Sequence, residues 1–592
     1  MSQWDESFDF VVVGSGGASM CVGLLYKTLG RSAVILEKQA KVGGSTGFSG
    51  GVWWVPNNPV MKRAGVDDSF EKALQYFESA VTYKGKCSSD ARRRAFLQSG
   101  PEMVEFLERQ GMKFKYADGW SDYYDDLPGG QPRGRSLVAQ LFDVNELGEW
   151  KTKLSMYPGM ALPLGSEDFP TLFLATKTGA GKKMALRLVM NMLKNKLFGR
   201  DVRGGGAAIQ GRMLQMALRE KLPILTETPV EDFVVENGRV TGVVAVRNGK
   251  RIRIQARDGV LINAGGFSRN REMREKYQPK PNAWQWTNAN PGDTGEMIEA
   301  AMRLGADLDC MNESWWVITS LGPDQRLPEG AVNPEGVPIP FMHHLDLSLP
   351  HLVMVDQQGR RFADESGAYM EIGQRLYARH EQTGKGIPAW VILDSRHRDK
   401  YPWGTAQPGK TPQSWLESGY MKKADSLEEL ARMCDIDWPG LKAEVEKFNR
   451  YCRTGVDPEF NRGGRAFDRA HGDPTVTPNP NLGAIEKGPF YAVAMYPGDV
   501  GTAGGIVTDE DARVLRADGS VIEGLYATGN STASVVGRCY PGAGSSIGAS
   551  FVFGYRAAQH AARQATQSAT QHATQQATRQ ESQQATRQEI HR

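Results

Sequence analysis

Residues 8–37 read FDFVVVGSGGASMCVGLLYKTLGRSAVILE, and the order of residue types in that stretch decides the fold. Phe8 to Val13 is a short run of apolar, largely β-branched residues, the composition of a buried strand. It stops at Gly14-Ser15-Gly16-Gly17-Ala18-Ser19. The following MCVGLLYKTLG has apolar residues at helical spacing and ends at Gly30, and SAVILE gives a second strand closing on Glu37. Strand, glycine turn, helix, strand, acid is the βαβ unit that holds a dinucleotide. Gly14 permits the tight turn, and Gly16 lets the backbone approach a pyrophosphate at the helix amino end. Gly17, Ala18 and Ser19 open that helix, with Ser19 in place of the usual third glycine, and Glu37 is placed to accept hydrogen bonds from a ribose.

The next residues choose between dinucleotides. Lys38 to Gly51 reads KQAKVGGSTGFSGG, glycine-rich directly after the ribose acid. A nicotinamide enzyme needs no such loop there. In flavoproteins of the two-dinucleotide fold it runs under the FAD pyrophosphate and along the isoalloxazine. FAD is the expected cofactor, with Lys38, Gly43, Gly44, Ser45, Thr46, Ser49, Gly50 and Gly51 against it.

Composition bounds the rest. The chain has 592 residues, 40% hydrophobic and 23% charged, so wholesale disorder is out. Against 71 Lys and Arg stand 68 Asp and Glu, a net +3 that points to no nucleic-acid partner. Six cysteines are scattered without a CxxC, which argues against a disulfide framework and against zinc or iron–sulfur ligation, so no metal is expected. The acidic start MSQWDESFDF does not read as a signal peptide, and no run of about 18 apolar residues occurs, so a cytoplasmic setting is expected.

Several segments together resemble a known family, the FAD domain of the fumarate reductase/succinate dehydrogenase group. DGVLINAGGF (258–267) resembles its strand-and-glycine return, GLYATGN (524–530) its second return, and GAGSSIG (542–548) its terminal glycine loop. The resemblance implies an α/β fold (α+β overall), with a discontinuous Rossmann-like FAD-binding domain and an inserted catalytic domain. It adds position 229, in the step Pro229-Val230, to the FAD contacts, together with Ala264, Gly265, Gly529, Asn530, Gly544, Ser546 and Ile547. No histidine stands beside Ser45-Thr46, where succinate dehydrogenases attach their flavin, so FAD is expected to be non-covalent. Within that group the chain resembles the 3-ketosteroid 1-dehydrogenases, through STGFSGGVWWVPNNPVMKRAG (45–65), WSDYYDDLPGG (120–130), GRRFADESGAY (359–369), PGDVGTAGGIVTD (497–509) and CYPGAGSSIG (539–548).

That resemblance implies catalytic roles for Tyr123, Tyr369, Tyr540 and Gly544. Forming a C1–C2 double bond beside a C3 ketone removes a hydride from C1 and a proton from C2. Tyr540 and the Gly544 N–H would polarise the ketone, Tyr369 would take the proton with Tyr123 beside it, and flavin N5 would take the hydride. An external acceptor, quinone-like or an artificial dye, would reoxidise the flavin. Two rivals share the fold. A fumarate reductase needs arginines and histidines for two carboxylates, whereas Tyr369 occupies an arginine position of that family, and the pair His343–His344 reads as surface or core. A 5α-ketosteroid 4-dehydrogenase would need its base moved toward C4.

Along the chain, residues 1–285 are expected to form the first part of the FAD domain, 286–484 the catalytic domain and 485–560 the second FAD part. Within 140–204 lies a distinct stretch, 171–200, with seven basic residues and no acid. It admits two readings: a core-packed helix with a solvated basic face, or an amphipathic helix on an anionic membrane surface. Residues 561–592 repeat Ala, Thr, Gln and Arg with almost no large apolar residue, the composition of a disordered or frayed helical tail.

Overall fold

The computed structural model describes residues 4–157, 162–323 and 340–590, with side chains left undescribed at 572–573 and 575–590. Strand β1 (Glu6–Val13) leads into helix α1 (Gly17–Thr28) and strand β2 (Ala33–Leu36), and β1 and β2 pair in parallel from Phe10–Ala33 to Val13–Leu36. β2 continues the parallel sheet to β3 (Ile224–Leu225). On the other side, β4 (Val230–Glu236), β5 (Arg239–Arg247) and β6 (Lys250–Ile262) form an antiparallel meander whose last strand lies parallel to β1. α1 is apolar nearly all round because it is enclosed, with every residue from Gly17 to Tyr26 buried.

A second sheet is antiparallel. Its strands are β7 (Ser314–Ser320), β8 (Phe341–His343), β9 (Leu352–Val355), β10 (Ala389–Leu393), β11 (Met421–Ala424) and β12 (Phe490–Thr502), in the order β8-β7-β12-β10-β9 with β11 also on β12. β12 is its spine: Phe490 to Met495 pair with β10 and β11, and Tyr496 to Thr502 pair with β7. The chain then returns to the first sheet through β13 (Arg513–Leu515) and β14 (Val521–Ala527), where Val260 of β6 pairs with Leu525.

Two boundary expectations change here, and two readings that stood open are narrowed. Residues 490–502, grouped by sequence with the closing FAD segment, belong to the second sheet. The helix Glu296–Arg303, grouped with the insertion, packs on the first sheet: Met297, Ile298, Ala300 and Ala301 join Val11, Val13 and Ile262 in one core. The tail is helical, since one helix runs from Ser545 to Ile590 and carries residues 561–590 with it. Ala, Gln and Arg are good helix formers, so a helix begun in the core propagates through them. Residues 591–592 lie outside the described residues. Finally, the basic helix Gly179–Leu197 is not core-packed, as only Gly181 and Leu188 are buried, while Leu186 is 64% and Leu197 80% exposed.

Candidate active site

One cavity of about 890 Å³ runs from the β1 glycine turn to the three tyrosines. At its first end the wall is mostly backbone. α1 begins without a side-chain cap among the described residues, so the N–H groups of Gly17 and Ala18 remain available to an anion beside Gly14 and Gly16, while that of Ser19 donates to the Gly16 carbonyl (3.1 Å). Gly14 sits at φ +91, and a Cβ there would lie 2.4 Å from the Asn263 carbonyl oxygen. A Cβ on Gly16 would press on the Asn263 side chain at 3.0 Å. Glu37 braces the turn, its Oε2 accepting from the Ser15 N–H (2.9 Å) and hydroxyl (2.5 Å) and its Oε1 from the Gln39 N–H (2.8 Å). Burial pushes its carboxyl pKa up, which those hydrogen bonds oppose.

Most predicted cofactor residues line this wall: Lys38, Gly44, Ser45, Thr46, Ser49, Gly50 and Gly51 from the glycine loop, and Ala264, Gly265, Gly529 and Asn530 from the returns. Both members of the step Pro229-Val230 line it too, where the chain enters β4. Gly544, Ser546 and Ile547 complete it. Ala18, Ser19 and Gly43 stand behind it instead. The Ser19 hydroxyl donates to the Gly14 carbonyl (2.8 Å) and accepts from Asn263 Nδ2 (2.8 Å), and the Gly43 N–H donates to Ser15 Oγ (2.9 Å). Ala18 faces Gly554, whose Cβ would lie 2.6 Å away. Sequence reasoning missed Asn290, Gly292 and Asp293 on the same wall. Asp293 accepts from Ser45 Oγ (2.9 Å), and burial pushes its carboxyl up to about 6. The signal was the polar glycine run NANPGDTG (288–295). An uncapped helix start, a buried acid beyond it and glycines without room for a Cβ fit FAD.

At the other end the wall is made of side chains. Ring centroids of Tyr123 and Tyr369 are 5.7 Å apart, Tyr123 and Tyr540 5.9 Å, and Tyr369 and Tyr540 5.2 Å. Each tyrosine is fixed by its own segment. Asp122 accepts from Trp54 Nε1 (2.9 Å) and from Arg135, which also pairs with Asp68, while the Tyr123 N–H donates to the Pro541 carbonyl (3.0 Å). That bond ties Tyr123 to the turn carrying Tyr540. Tyr124 is directed away, under the Arg465 guanidinium. In GRRFADESGAY, Arg361 grips Glu365 with two bonds (2.9 and 2.7 Å), and Tyr369 follows as the first residue of the helix Tyr369–Thr383. Gly544 stands at φ +87 just before the C-terminal helix, and a Cβ there would lie 2.0 Å from the Val52 carbonyl oxygen. The Tyr540 hydroxyl is 3.1 Å from Ser546 Oγ.

Burial pushes the Tyr123 and Tyr369 phenols well above their ordinary range; Tyr123 and Tyr540 add to the rise at Tyr369, whereas at Tyr123 the charge of Tyr540 adds to it and the hydrogen bond with Tyr369 opposes it. Among the described residues the buried Tyr123 hydroxyl meets no hydrogen-bond partner at full geometry. Both are therefore protonated at rest. Around them stand Trp315 (5.2 Å from Tyr540), Phe467 (4.2 Å from Tyr123) and His344 (4.9 Å from Tyr369). Burial, with His471 nearby, drives His344 down to about 3, so it is neutral. The His343–His344 pair divides: His343 is satisfied core, bonded to Asp346 and Ser320 (both 2.7 Å), whereas His344 lines the cavity. Among the described lining residues there is no arginine, and the lysine is Lys38 at the far end.

Comparison with known proteins agrees with this geometry. Residues 9–547 match the FAD binding domain family. The 3-oxosteroid 1-dehydrogenase of Mycolicibacterium smegmatis is 39% identical, over 93% of this chain and 97% of that protein. The 4-oxocyclohex-2-ene-1-carboxylate 5-dehydrogenase of Sinomonas cyclohexanicum is 34% identical over 94% of each chain. The crystal structure of 3-ketosteroid delta1-dehydrogenase from Sterolibacterium denitrificans, in complex with 1,4-androstadiene-3,17-dione, covers 94% of this chain and 100% of its own at 37% identity and a TM-score of 0.86. An uncapped dinucleotide turn, a cavity shared with three converged tyrosines and these relatives lead to one assignment: the chain belongs to the FAD binding domain family, in the branch that contains the 3-oxosteroid 1-dehydrogenases.

Proposed function

We propose that the tyrosine end accepts a neutral 4-ene-3-ketosteroid and forms its C1–C2 double bond. The observation that carries this reading is the meeting of Tyr123, Tyr369 and Tyr540 beside Gly544, in one cavity with the dinucleotide wall. FAD, held non-covalently, supplies the hydride acceptor. Enolate charge grows on the ketone oxygen as the C2 proton leaves, so that oxygen belongs with the strongest donors. Those are the Tyr540 hydroxyl and the Gly544 N–H, the latter at the amino end of a helix, which favours negative charge. Tyr369 takes the proton as phenolate, its own phenolic proton having first passed to solvent. A buried phenol is a poor base at rest, and at rest Tyr123 raises its pKa further, but once the phenolate forms Tyr123 can donate to its oxygen, and its place at a helix start further supports phenolate character there. An external acceptor of the quinone class then takes the electrons.

A carboxylate-bearing cyclic ketone, the substrate class in the Sinomonas relative's name, fits less well, because no cation lines this end among the described residues. Anaerobic flavin bleaching tests the reading with a 4-ene-3-ketosteroid, a 5α-3-ketosteroid and 4-oxocyclohexanecarboxylate. The first should bleach fastest and yield the 1-ene product. Preferential bleaching by the carboxylate, or a 4-ene product from the 5α-steroid alone, would overturn it.

The exposed helix Gly179–Leu197 supports a peripheral contact with an anionic membrane. Leu186, Val189, Met190, Leu193 and Leu197 are exposed between lysines, next to the helix Phe169–Phe173, whose terminal rings line the cavity. A lipophilic ketone dissolved in the bilayer would then enter close to the site. Sedimentation should capture the protein with phosphatidylglycerol vesicles but not with phosphatidylcholine, and Leu193→Asp with Leu197→Asp should abolish capture. Equal capture by both lipids, or capture by neither, would refute the contact.

A further inference from the structure

Cys87 and Cys310 are 223 residues apart in the chain, yet their sulfurs lie 3.8 Å from each other. Cys87 belongs to the turn Lys86–Ser88 and Cys310 follows the short strand Leu308–Asp309. The two sulfurs and an Asp309 carboxylate oxygen all fall within 4.8 Å of one another. Zinc binds thiolate at about 2.3 Å in tetrahedral geometry, so two thiolates on one ion stand about 3.8 Å apart. The cysteines already have that spacing.

Two further observations point the same way. Asp309 is oriented as ligating carboxylates are, by outer hydrogen bonds: its Oδ1 accepts from the Tyr83 hydroxyl (2.6 Å) and the Cys310 N–H (2.8 Å). Its Oδ2 accepts from the Cys87 N–H (3.0 Å), and the Cys87 thiol also lies within hydrogen-bonding reach of this carboxylate. Beside them Arg92 is fully buried, and its recorded bonds go to the carbonyls of Cys87 (2.5 Å) and Ala533 (3.2 Å), with Phe553 under its guanidinium. No carboxylate pairs with it among the described residues. A buried cation calls for a compensating charge, and two thiolates plus a carboxylate around a doubly charged ion supply a net −1.

We infer that Cys87, Cys310 and Asp309 form a binding site for a thiophilic divalent cation of the zinc class, with the fourth position open to Tyr83 or water. Binding releases the two thiol protons and changes no oxidation state. Half-buried Tyr83 gives the ion its approach from solvent. The bound ion would also brace the segment carrying Tyr540, because Ser88 Oγ donates to the Val535 carbonyl (2.5 Å) next to the Arg92–Ala533 bond.

Cobalt(II) provides the test on the flavin-loaded protein. One ion per chain should bind, with tetrahedral d–d bands in the red, beyond the flavin absorption, and with thiolate-to-cobalt charge transfer. Zinc should displace it, and two thiols should become protected from a thiol reagent. Asp309→Asn should weaken binding by more than the roughly 10–100-fold lost when a ligand's outer partner is removed, and Cys87→Ser with Cys310→Ser should abolish it while flavin is retained. The inference fails if cobalt shows only weak octahedral bands, if no ion binds, or if the native mass is two hydrogens short, which would make the pair a disulfide. Should the variants fail to fold, the spectrum of the unmutated protein alone decides.

Discussion

At the dinucleotide end of the cavity the wall is backbone, and at the tyrosine end it is side chains. Gly14 and Gly16 have Asn263 where a Cβ would go, so the first end is defined by the absence of atoms. Tyr123, Tyr369 and Tyr540 arrive from three chain regions and are held by bonds behind them, so the second end is defined by which atoms are present. The difference predicts how each end breaks. A steric change should destroy the first end outright, whereas removing a single oxygen should leave the second end folded and chemically silent.

Gly16→Val gives the largest expected effect. Its branched side chain meets Asn263 and blocks the pyrophosphate path, so purified protein should carry no flavin; stoichiometric yellow protein would refute the backbone-wall account. The tyrosines come next. Tyr369→Phe should keep steroid binding but lower flavin reduction by about 10³–10⁴-fold, in the range for a lost general base. Tyr540→Phe should lower it by about 10²–10³-fold and weaken binding as well, because the proposed ketone anchor is gone. Exchange of the C2 hydrogen with heavy water in the pre-reduced enzyme separates them: Tyr369→Phe should lose it, and persistence at the unmutated rate would move the base elsewhere.

A smaller effect concerns His344. Its folded pKa of about 3 lies below the ordinary 6.5, so the stability of its neutral form is present above pH 6.5 and lost as pH falls toward 3. At pH 5 that loss is about 2 kcal/mol. His344→Asn should therefore resist urea better, relative to the unmutated protein, at pH 5 than at pH 8; an equal difference at both pH values would show that the imidazole is not buried neutral. The smallest effect is at Glu37. Glu37→Gln puts an amide against donors from Ser15 and Gln39 and should weaken flavin retention by about tenfold, in keeping with one lost buried hydrogen bond. Retention unchanged in dialysis would mean that the brace is dispensable.

The same contrast explains what could be read from the sequence. A backbone wall is made by local order, so strand, glycine turn, helix and acid in residues 8–37 were enough to place it. Tyr123, Tyr369 and Tyr540 were legible only through their family motifs, because nothing local marks a tyrosine as facing two others. His344 was passed over because its neighbour His343 has the same local context and an opposite fate, settled by Ser320, Asp346 and Tyr369 across the fold. The cysteine pair was hidden in the same way, by the long separation between its members. The helix Glu296–Arg303 and the strand Phe490–Thr502 changed sheets for the reason that domain edges are hard to read: which sheet buries an apolar face is a tertiary choice.

The interleaving of the two sheets also sets a clock during synthesis. β6 is made early, but its parallel neighbour β14 follows about 260 residues later, after the whole second sheet. At a ribosomal rate of about 5–20 residues per second, the edge of β6 waits about 10–50 s for its partner. Over that interval an apolar strand, with Val260, Leu261 and Ile262 at its end, has unpaired N–H and carbonyl groups. The nascent chain is thus open to association with other chains at that strand until β14 emerges, and the host's chaperones would find a target there.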